Sequence, residues 1–513
     1  MRPEGYSFEC HEIPGAAPAL RATVDAAQWR EACRRAAFDG GRLVALWGSD
    51  DSDLDKGLAV HAALAIRQGL LLVTLPLVQA RYPDIADIFP AAGRMQRAMR
   101  DLFGLTAEGA DDGRRWLRHA AWPEGVFPLR KSFDAGARYA NGADDYPFVQ
   151  VGGDGVHEIA VGPVHAGTIE PGHFRFSVVG ERVLRLEERL GYSHKGIEKR
   201  FEQMDLLQGA RLAGRISGDS TVAYAWAYAM AVESAAGAMP PQRAFWMRAL
   251  LLERERIANH LGDLGFLGND AGLAFGLAQF SCLREDMLRL NRELFGHRYV
   301  MDVVTPGGAA CDISAEGIAR VRSECDILDQ SVGRLRSIYD EHPGLQDRFI
   351  TCGRVTPELA ARLGLIGLAG RASGQAWDLR VEYPCAPYGE LEVRMATHRN
   401  GDVAARVTVR FDEIFESLRL ARMILDRMPL GEISVPISPA GEGAFGTGWV
   451  EGWRGEVFVA LEAGPGGSIR RLHPHDASWQ NWPLVGHAAL GNIVPDFPLI
   501  NKSFNLSYSG QDL

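Results

Sequence analysis

At 513 residues, 46% hydrophobic and 23% charged, the chain is long enough for about three ordinary domains with ample cores. Its formal net charge of −10 argues against a nucleic-acid binder, whose electrostatic footprint is a basic surface. No window holds the roughly 18 uncharged apolar residues of a membrane span, and the start "MRPEGYSFECHEIPGAAP" lacks the pattern of a signal peptide. The expectation is therefore a soluble chain that meets a membrane only through partners.

Residues 20–135 read as one α/β unit. "AQWREACRRAAFDG" has helical spacing and stops at Gly-Gly. "GRLVALWGSD", "GLAVHAALAI" and "GLLLVTLPL" are short apolar runs bounded by Gly and Asp, as strands are. "FPAAGRMQRAMRDLFGL" returns to helical spacing. Residues 134–148, "DAGARYANGADDYPF", read as a linker. From 149 onward, Gly breaks and alternating apolar residues predict strands and turns up to about residue 190. "STVAYAWAYAMAVESAAGA" is nearly uncharged, which predicts a helix buried on most faces. "PPQRAFWMRALLLERERIANHLGDLGFL" opens on Pro and continues with helical spacing. Further helices are expected near 279–296, 314–339 and 407–428. The C-terminal stretch 444–513 reads as strands and loops.

The seven cysteines (Cys10, Cys33, Cys282, Cys311, Cys325, Cys352 and Cys385) include no C-x-x-C pair. Scattered thiols suit small buried residues in a reducing compartment. An iron–sulfur or structural zinc site needs clustered thiolates, so any cluster is expected in a partner. "HPHD" at 473–476 reads as a loop without a third metal ligand, and "ERERIANH" as mainly a charged helix face with Glu253 at the cavity side. The "GGDG" at 152–155 has no following G-K-[ST], and no dinucleotide fingerprint appears.

Several segments together carry a resemblance. "AMRDLFGL" (98–105) followed by "FPLRKSF" (127–133) resembles the thirty-kilodalton subunit of respiratory complex I. "GPVHAGTIEPGHFRF" (162–176), "LGYSHKGIEKRFE" (190–202), "LERERIANHLGDLG" (252–265), "GRASGQAWDLR" (370–380) and "WRGEV" (453–457) come next. They follow the order of the forty-nine-kilodalton subunit of complex I and of the nickel–iron hydrogenase large subunits. The fused order resembles the large subunit of formate hydrogenlyase. The resemblance implies an α+β protein in two parts. An α/β domain like the thirty-kilodalton subunit (1–133) precedes the linker (134–148). A mostly helical hydrogenase-large-subunit-like domain (149–513) with peripheral β-structure follows.

It also implies a site. Hydrogenase members hold nickel and iron with two C-x-x-C pairs, because soft thiolates bridge those metals. By spacing from "GYSHKG", the first pair falls in the segment Arg215–Ser220, at Ser217 and Ser220. The second falls at Ser507 and Gly510. No metal is expected. The complex I members instead clamp a quinone with a Tyr and a His, whose positions here are Gly218 and Ile169; His165 fits an earlier, structural His. What remains is an expected polar cavity with a buried Glu170, Asp219 and Arg454 as proton-handling groups. Arg215, Ser217, Gly218, Ser220, Ser507 and Gly510 are its degenerate metal or quinone lining. A quinone is the cofactor candidate. A 4Fe–4S cluster is expected in a small partner like the twenty-kilodalton subunit of complex I. Membrane-arm subunits are the other expected partners, on the cytoplasmic face of the inner membrane. Hydrogenase large subunits have a tail trimmed after metal insertion; with Leu513 close behind Gly510, the resemblance implies no trimming here.

Overall fold

A computed structural model describes residues 3–140, 142–165 and 169–513. Residues 166–168, within the "GPVHAGTIE" motif, lie outside the described residues, as does Asn141 of the linker. The chain is α+β. Its N-terminal part is a five-stranded sheet in the order β1 (His11–Ile13), β2 (Ala19–Thr23), β5 (Gly69–Leu77), β4 (Gly57–Ile66), β3 (Arg42–Asp51). Helix α1 (Ala26–Phe38) opens with an Asp25 capping box and buries Trp29, Ala32, Cys33 and Ala36, one stripe at helical spacing. The short pair β6 (Arg81–Pro83) and β7 (Thr106–Glu108) brackets α2 (Ala92–Phe103), which lies over β3.

Residues 142–148 are without helix or strand but are pinned. Asp144 pairs with Arg189 at 2.9 Å, and the Tyr146 hydroxyl accepts from Arg97 at 2.7 Å. A second antiparallel sheet follows: β8 (Val156–Val161), β9 (His173–Val179), β10 (Arg182–Arg189). Short helices α3 (Ile197–Phe201) and α4 (Gln208–Ala213) lead to α5 (Thr221–Ala236), α6 (Gln242–Asp270) and α7 (Ala274–Phe295). The two-residue strands β11 (Val304–Thr305) and β12 (Gly308–Ala309) precede α8 (Ala315–Glu341). Four short helices, α9 (Pro343–Phe349), α10 (Pro357–Leu363), α11 (Gly367–Ala372) and α12 (Leu379–Glu382), lead to α13 (Val403–Arg427). The chain closes with a third sheet, β13 (Phe445–Glu451), β14 (Glu456–Ala463), β15 (Ile469–Asp476), and with α14 (Ser478–Ala489), α15 (Phe497–Phe504) and α16 (Tyr508–Asp512).

Helix α5 is buried from Thr221 to Ser234. Its alanines at four-residue spacing, Ala227 and Ala231, let β13 lie directly on its backbone. A Cβ added to Gly448 would stand 1.8 Å from the Ala227 carbonyl oxygen, and one on Gly446 2.0 Å from that of Ala231. Only glycine permits that approach.

Three expectations are corrected. "HPHD" is not a loop: His473, His475 and Asp476 are buried in β15, with His473 stacked on Trp47 at 5.2 Å. The "ERERIANH" charges do not form a solvated face; Glu253, Arg254, Arg256 and His260 are all buried. A charge pattern alone does not say whether opposite charges lie across the packing interface, and here they do. The stretch 444–513 holds α14, α15 and α16 besides its strands.

Candidate functional site

The N-terminus of α5, the turn between β13 and β14, and the segment between α15 and α16 converge. Residues 217–220 form a turn in which the Ser220 N–H donates to the Ser217 carbonyl at 3.0 Å. Ser220 occupies the N-cap of α5, yet its hydroxyl makes no cap bond. Glu255 of α6 does that work, accepting from Val222 N–H at 2.6 Å and Ala223 N–H at 3.2 Å. The Ser220 hydroxyl is thereby released to accept from Trp453 Nε1 at 3.1 Å and Arg454 at 3.2 Å.

The positions expected for the four thiolates lie together. Ser217 Oγ and Ser507 Oγ are 2.8 Å apart, and Ser217 Oγ also donates to Asp219 Oδ1 at 2.8 Å. Ser507 caps α16 by accepting from Gly510 N–H at 2.8 Å. A Cβ on Gly510 would stand 2.0 Å from Asp476 Oδ2, and that carboxylate accepts from the Tyr224 hydroxyl at 2.9 Å. Across this group lies a bidentate Asp219–Arg454 pair, with Arg454 NH1 2.8 Å from Asp219 Oδ1 and Arg454 NH2 on Oδ2. The guanidinium also stacks 4.0 Å above the Trp453 ring.

The carboxyls here split by environment. Burial raises that of Asp219, but the charge and hydrogen bonds of Arg454 outweigh it and hold Asp219 down at about 2. Its 36% accessible side chain faces the cavity described next. Burial pushes Glu255 up to about 8, against its two backbone donors and with Asp219 adding to the rise. Burial likewise lifts Asp512 to about 7, although its oxygens accept from Ser193 and Gly191 N–H groups.

The serine pair and the Asp219–Arg454 bridge border a cavity of about 320 Å³. Its lining includes the expected Glu170, Ser217, Gly218, Asp219, Arg454 and Ser507, together with Ile169. Nothing stands within 4 Å of a Cβ added to Gly218, so a side chain there would meet open space. Two expectations fail. Glu170 is not a buried group: it is exposed at the rim and held by the Ser509 N–H at 3.1 Å and the Ser509 hydroxyl. Arg215 is turned away, bound bidentately to Asp302 at 2.6 and 2.7 Å because it follows the last turn of α4 on the outer side. Sequence reasoning missed Asn259, Asp263 and Phe266 of α6, Arg284 of α7, Lys502, Asn505 and Tyr508. The signal for the first group was present: Asn259, Gly262, Asp263 and Phe266 share one helical face.

A network of buried charges holds the Arg454 turn from behind. Arg256 donates to the carbonyls of Glu451 at 2.7 Å and Gly452 at 2.9 Å. Around it, Glu413 accepts from Arg371 at 2.9 Å and bonds His260 at 2.8 Å. Arg371 also reaches Glu451 at 2.7 Å, and Arg380 joins Asp378 at 2.7 Å to Glu253 at 3.1 Å. All eight side chains are buried. Removing one partner would leave an uncompensated interior charge, so the turn has little freedom.

Residues 22–139 match the family model for the respiratory-chain NADH dehydrogenase 30 Kd subunit, and residues 270–442 that for the 49 Kd subunit. Formate hydrogenlyase subunit 5 of Escherichia coli (strain K12) is 32% identical over 483 residues, which span 92% of this chain and 85% of the relative. Hydrogenase-4 component G of the same organism is 32% identical over 92% of this chain and 84% of its own length. A C/D-type NADH-quinone oxidoreductase subunit of Bacteroides fragilis (strain YCH46) is 30% identical over 76% of this chain and 77% of its own. A chain in the solved structure of the membrane-bound sulfane sulfur reductase, an archaeal respiratory membrane complex, superposes with a TM-score of 0.66 at 25% identity. The match covers 70% of this chain and 98% of that one.

Proposed function

Since the chain belongs to the family of fused 30 Kd and 49 Kd respiratory subunits, which includes formate hydrogenlyase subunit 5 and C/D-type NADH-quinone oxidoreductase subunits, we propose that it is the large subunit of a membrane-associated complex I/formate hydrogenlyase-like oxidoreductase. It passes electrons to an acceptor in the cavity, coupled to ion translocation, without a nickel–iron centre. The observation that carries this reading is an open cavity beside a closed metal position. Its 320 Å³ fall within the roughly 300–1,000 Å³ of ligand pockets.

Nickel and iron do not fit the donors. Three hydroxyls and a glycine replace soft thiolates, two of the hydroxyls bond each other, and Asp219–Arg454 spans the place. A quinone fits better in kind: Ile169, Phe266, Leu506 and Tyr508 supply apolar lining, and Arg284, Arg454 and Lys502 supply donors. When bound, such an acceptor takes up two electrons and two protons. Ser217 and Ser507 form a hydroxyl pair at the cavity wall, Asp219 holds Arg454 in place, and Glu170 at the rim takes protons from solvent toward Ser509. Electrons arrive from a 4Fe–4S cluster in the small partner, and membrane-arm subunits move the ions, on the cytoplasmic face of the inner membrane.

The tied-up hydroxyls favour a second reading, that of a coupling element without chemistry. The two separate on one measurement. The complex is purified gently with its neighbours, and acceptor-dependent turnover and nickel content are measured in the wild type and in Glu170→Gln. Expected are no stoichiometric nickel, and an assembled Glu170→Gln complex that has lost coupled turnover. Stoichiometric nickel overturns the metal-free reading, and unchanged turnover removes Glu170 from the proton path.

A further inference from the structure

The cavity's charges do not cancel locally. Asp219 is matched by Arg454. Asp263 is committed on both oxygens: Oδ2 accepts from Arg410 Nε at 3.0 Å, and Oδ1 from Asn505 Nδ2 at 2.6 Å. Glu170 is held by Ser509 and lies in the field of Lys195. Of the other two cations of the lining, Lys502 has only a long pair and Arg284 has none among the described residues. Lys502 Nζ stands 3.8 Å from the occupied Asp263 carboxylate, donates to Asn505 Oδ1 at a long 3.5 Å, and lies 4.8 Å over the Phe266 ring. Arg284 makes no hydrogen bond or ion pair among the described residues, and its Nε is sealed from water without a partner.

Both line the cavity and lie against α6. The Arg284 guanidinium lies against Gly262, where an added Cβ would come within 3.1 Å of it, while Lys502 lies against Asp263 and Phe266. Gly262 thus leaves the room in which the planar fork rests beside the cavity. Apolar Ile169, Phe266 and Leu506 border the same space, so a charge entering it is screened less than in water. A fork of N–H donors and a point ammonium at the edge of a partly apolar cavity suit one compact, singly charged guest.

We propose that Arg284 and Lys502 form an anion subsite of the cavity, which takes a compact monoanion of carboxylate, oxyanion or hydrosulfide size. This rests on the reading of the cavity as a ligand site, but not on electron transfer through it.

The full chain is titrated calorimetrically with sodium formate, nitrate and hydrosulfide, each against sodium chloride at matched low ionic strength. Expected is saturable one-to-one binding of at least one probe, weakened at least fivefold by Arg284→Gln and by Lys502→Gln and lost in the double variant. Lys502→Arg, which keeps the charge, should retain binding, and Arg289→Gln on the exposed side of α7 should leave it unchanged. Thermal midpoints of the variants confirm that they fold. No saturable binding of any probe, or unaltered binding in the double variant, overturns the proposal. So does binding that vanishes when the iron–sulfur partner docks, because a partner's carboxylate is then the occupant. Turnover is not read, so a metal-containing or inactive complex would sink the functional reading while leaving this subsite standing.

Discussion

Replacing Glu255 by glutamine should flatten part of the pH dependence of stability. The folded carboxyl is pushed up to about 8 from an ordinary 4.5. At 1.36 kcal/mol per pKa unit, that rise is worth about 5 kcal/mol. The sign follows from proton counting. Between pH 4.5 and 8 the folded chain holds a proton at Glu255 that the unfolded chain has released, so stability falls as pH rises through this window and levels off above it. Glutamine cannot ionise and removes the fall. It also turns an NH₂ toward one of the two N–H groups that Glu255 now satisfies, at a pH-independent cost of about 1–3 kcal/mol. The variant should therefore be less stable than the wild type near pH 5 and equal or more stable near pH 9. Urea unfolding of both chains across that range gives the difference curve, in which the parallel contribution of Asp512 cancels. A constant difference at every pH would refute the assignment of a protonated, buried Glu255.

Arg454→Gln should destabilise by about 2 kcal/mol, between the small effect of a surface pair and the loss expected for a fully sealed one, because Asp219 partly faces the cavity. Asp219→Asn added to it should recover most of that loss, as a double-mutant cycle in urea would read. Gly448→Ala would press a methyl into the Ala227 carbonyl, and a fall of about 2 kcal/mol or more in unfolding free energy, on the order of an overpacked core, is expected from denaturant titration. Asp512→Asn should relieve a loss of stability that otherwise develops as pH rises from about 3.8 to about 7, and thermal melts at both ends test this.

Which parts were legible follows from the physics of each signal. The buried run of α5 and the strands β3 to β5 announce themselves through apolar periodicity and Gly breaks. The convergence of Ser217, Asp219, Arg454 and Ser507 came from motif order, which encodes tertiary proximity that no local pattern carries. Glu170 stands exposed where the motif implies a buried group, because a turn's position relative to bulk solvent is set by neighbours far along the chain. Arg215 points to Asp302 and not to the cavity because, at the end of a short helix, which way a side chain points depends on a few degrees of backbone turn. Lys502 and Arg284 carry no signal in the sequence, since single cations on helices are common, and the want of a partner for Arg284 among the described residues is visible only in three dimensions. The buried "ERERIANH" charges belong to the same class, their partners Arg380 and Glu413 lying far along the chain.

The contact between the two halves of the chain is a load path. Trp47 is clamped between His61 and His473, Arg470 is anchored on Asp51 at 2.8 Å, and Gln480 holds the Val44 carbonyl at 2.7 Å. Strand β15 carries that grip from Arg470 to Asp476, whose carboxylate meets Tyr224 and crowds Gly510. The N-terminal sheet therefore acts as a splint on the rear wall of the cavity. Cutting the chain near residue 140 would remove more than an appendage: it would unload the strand on which the floor of the site rests.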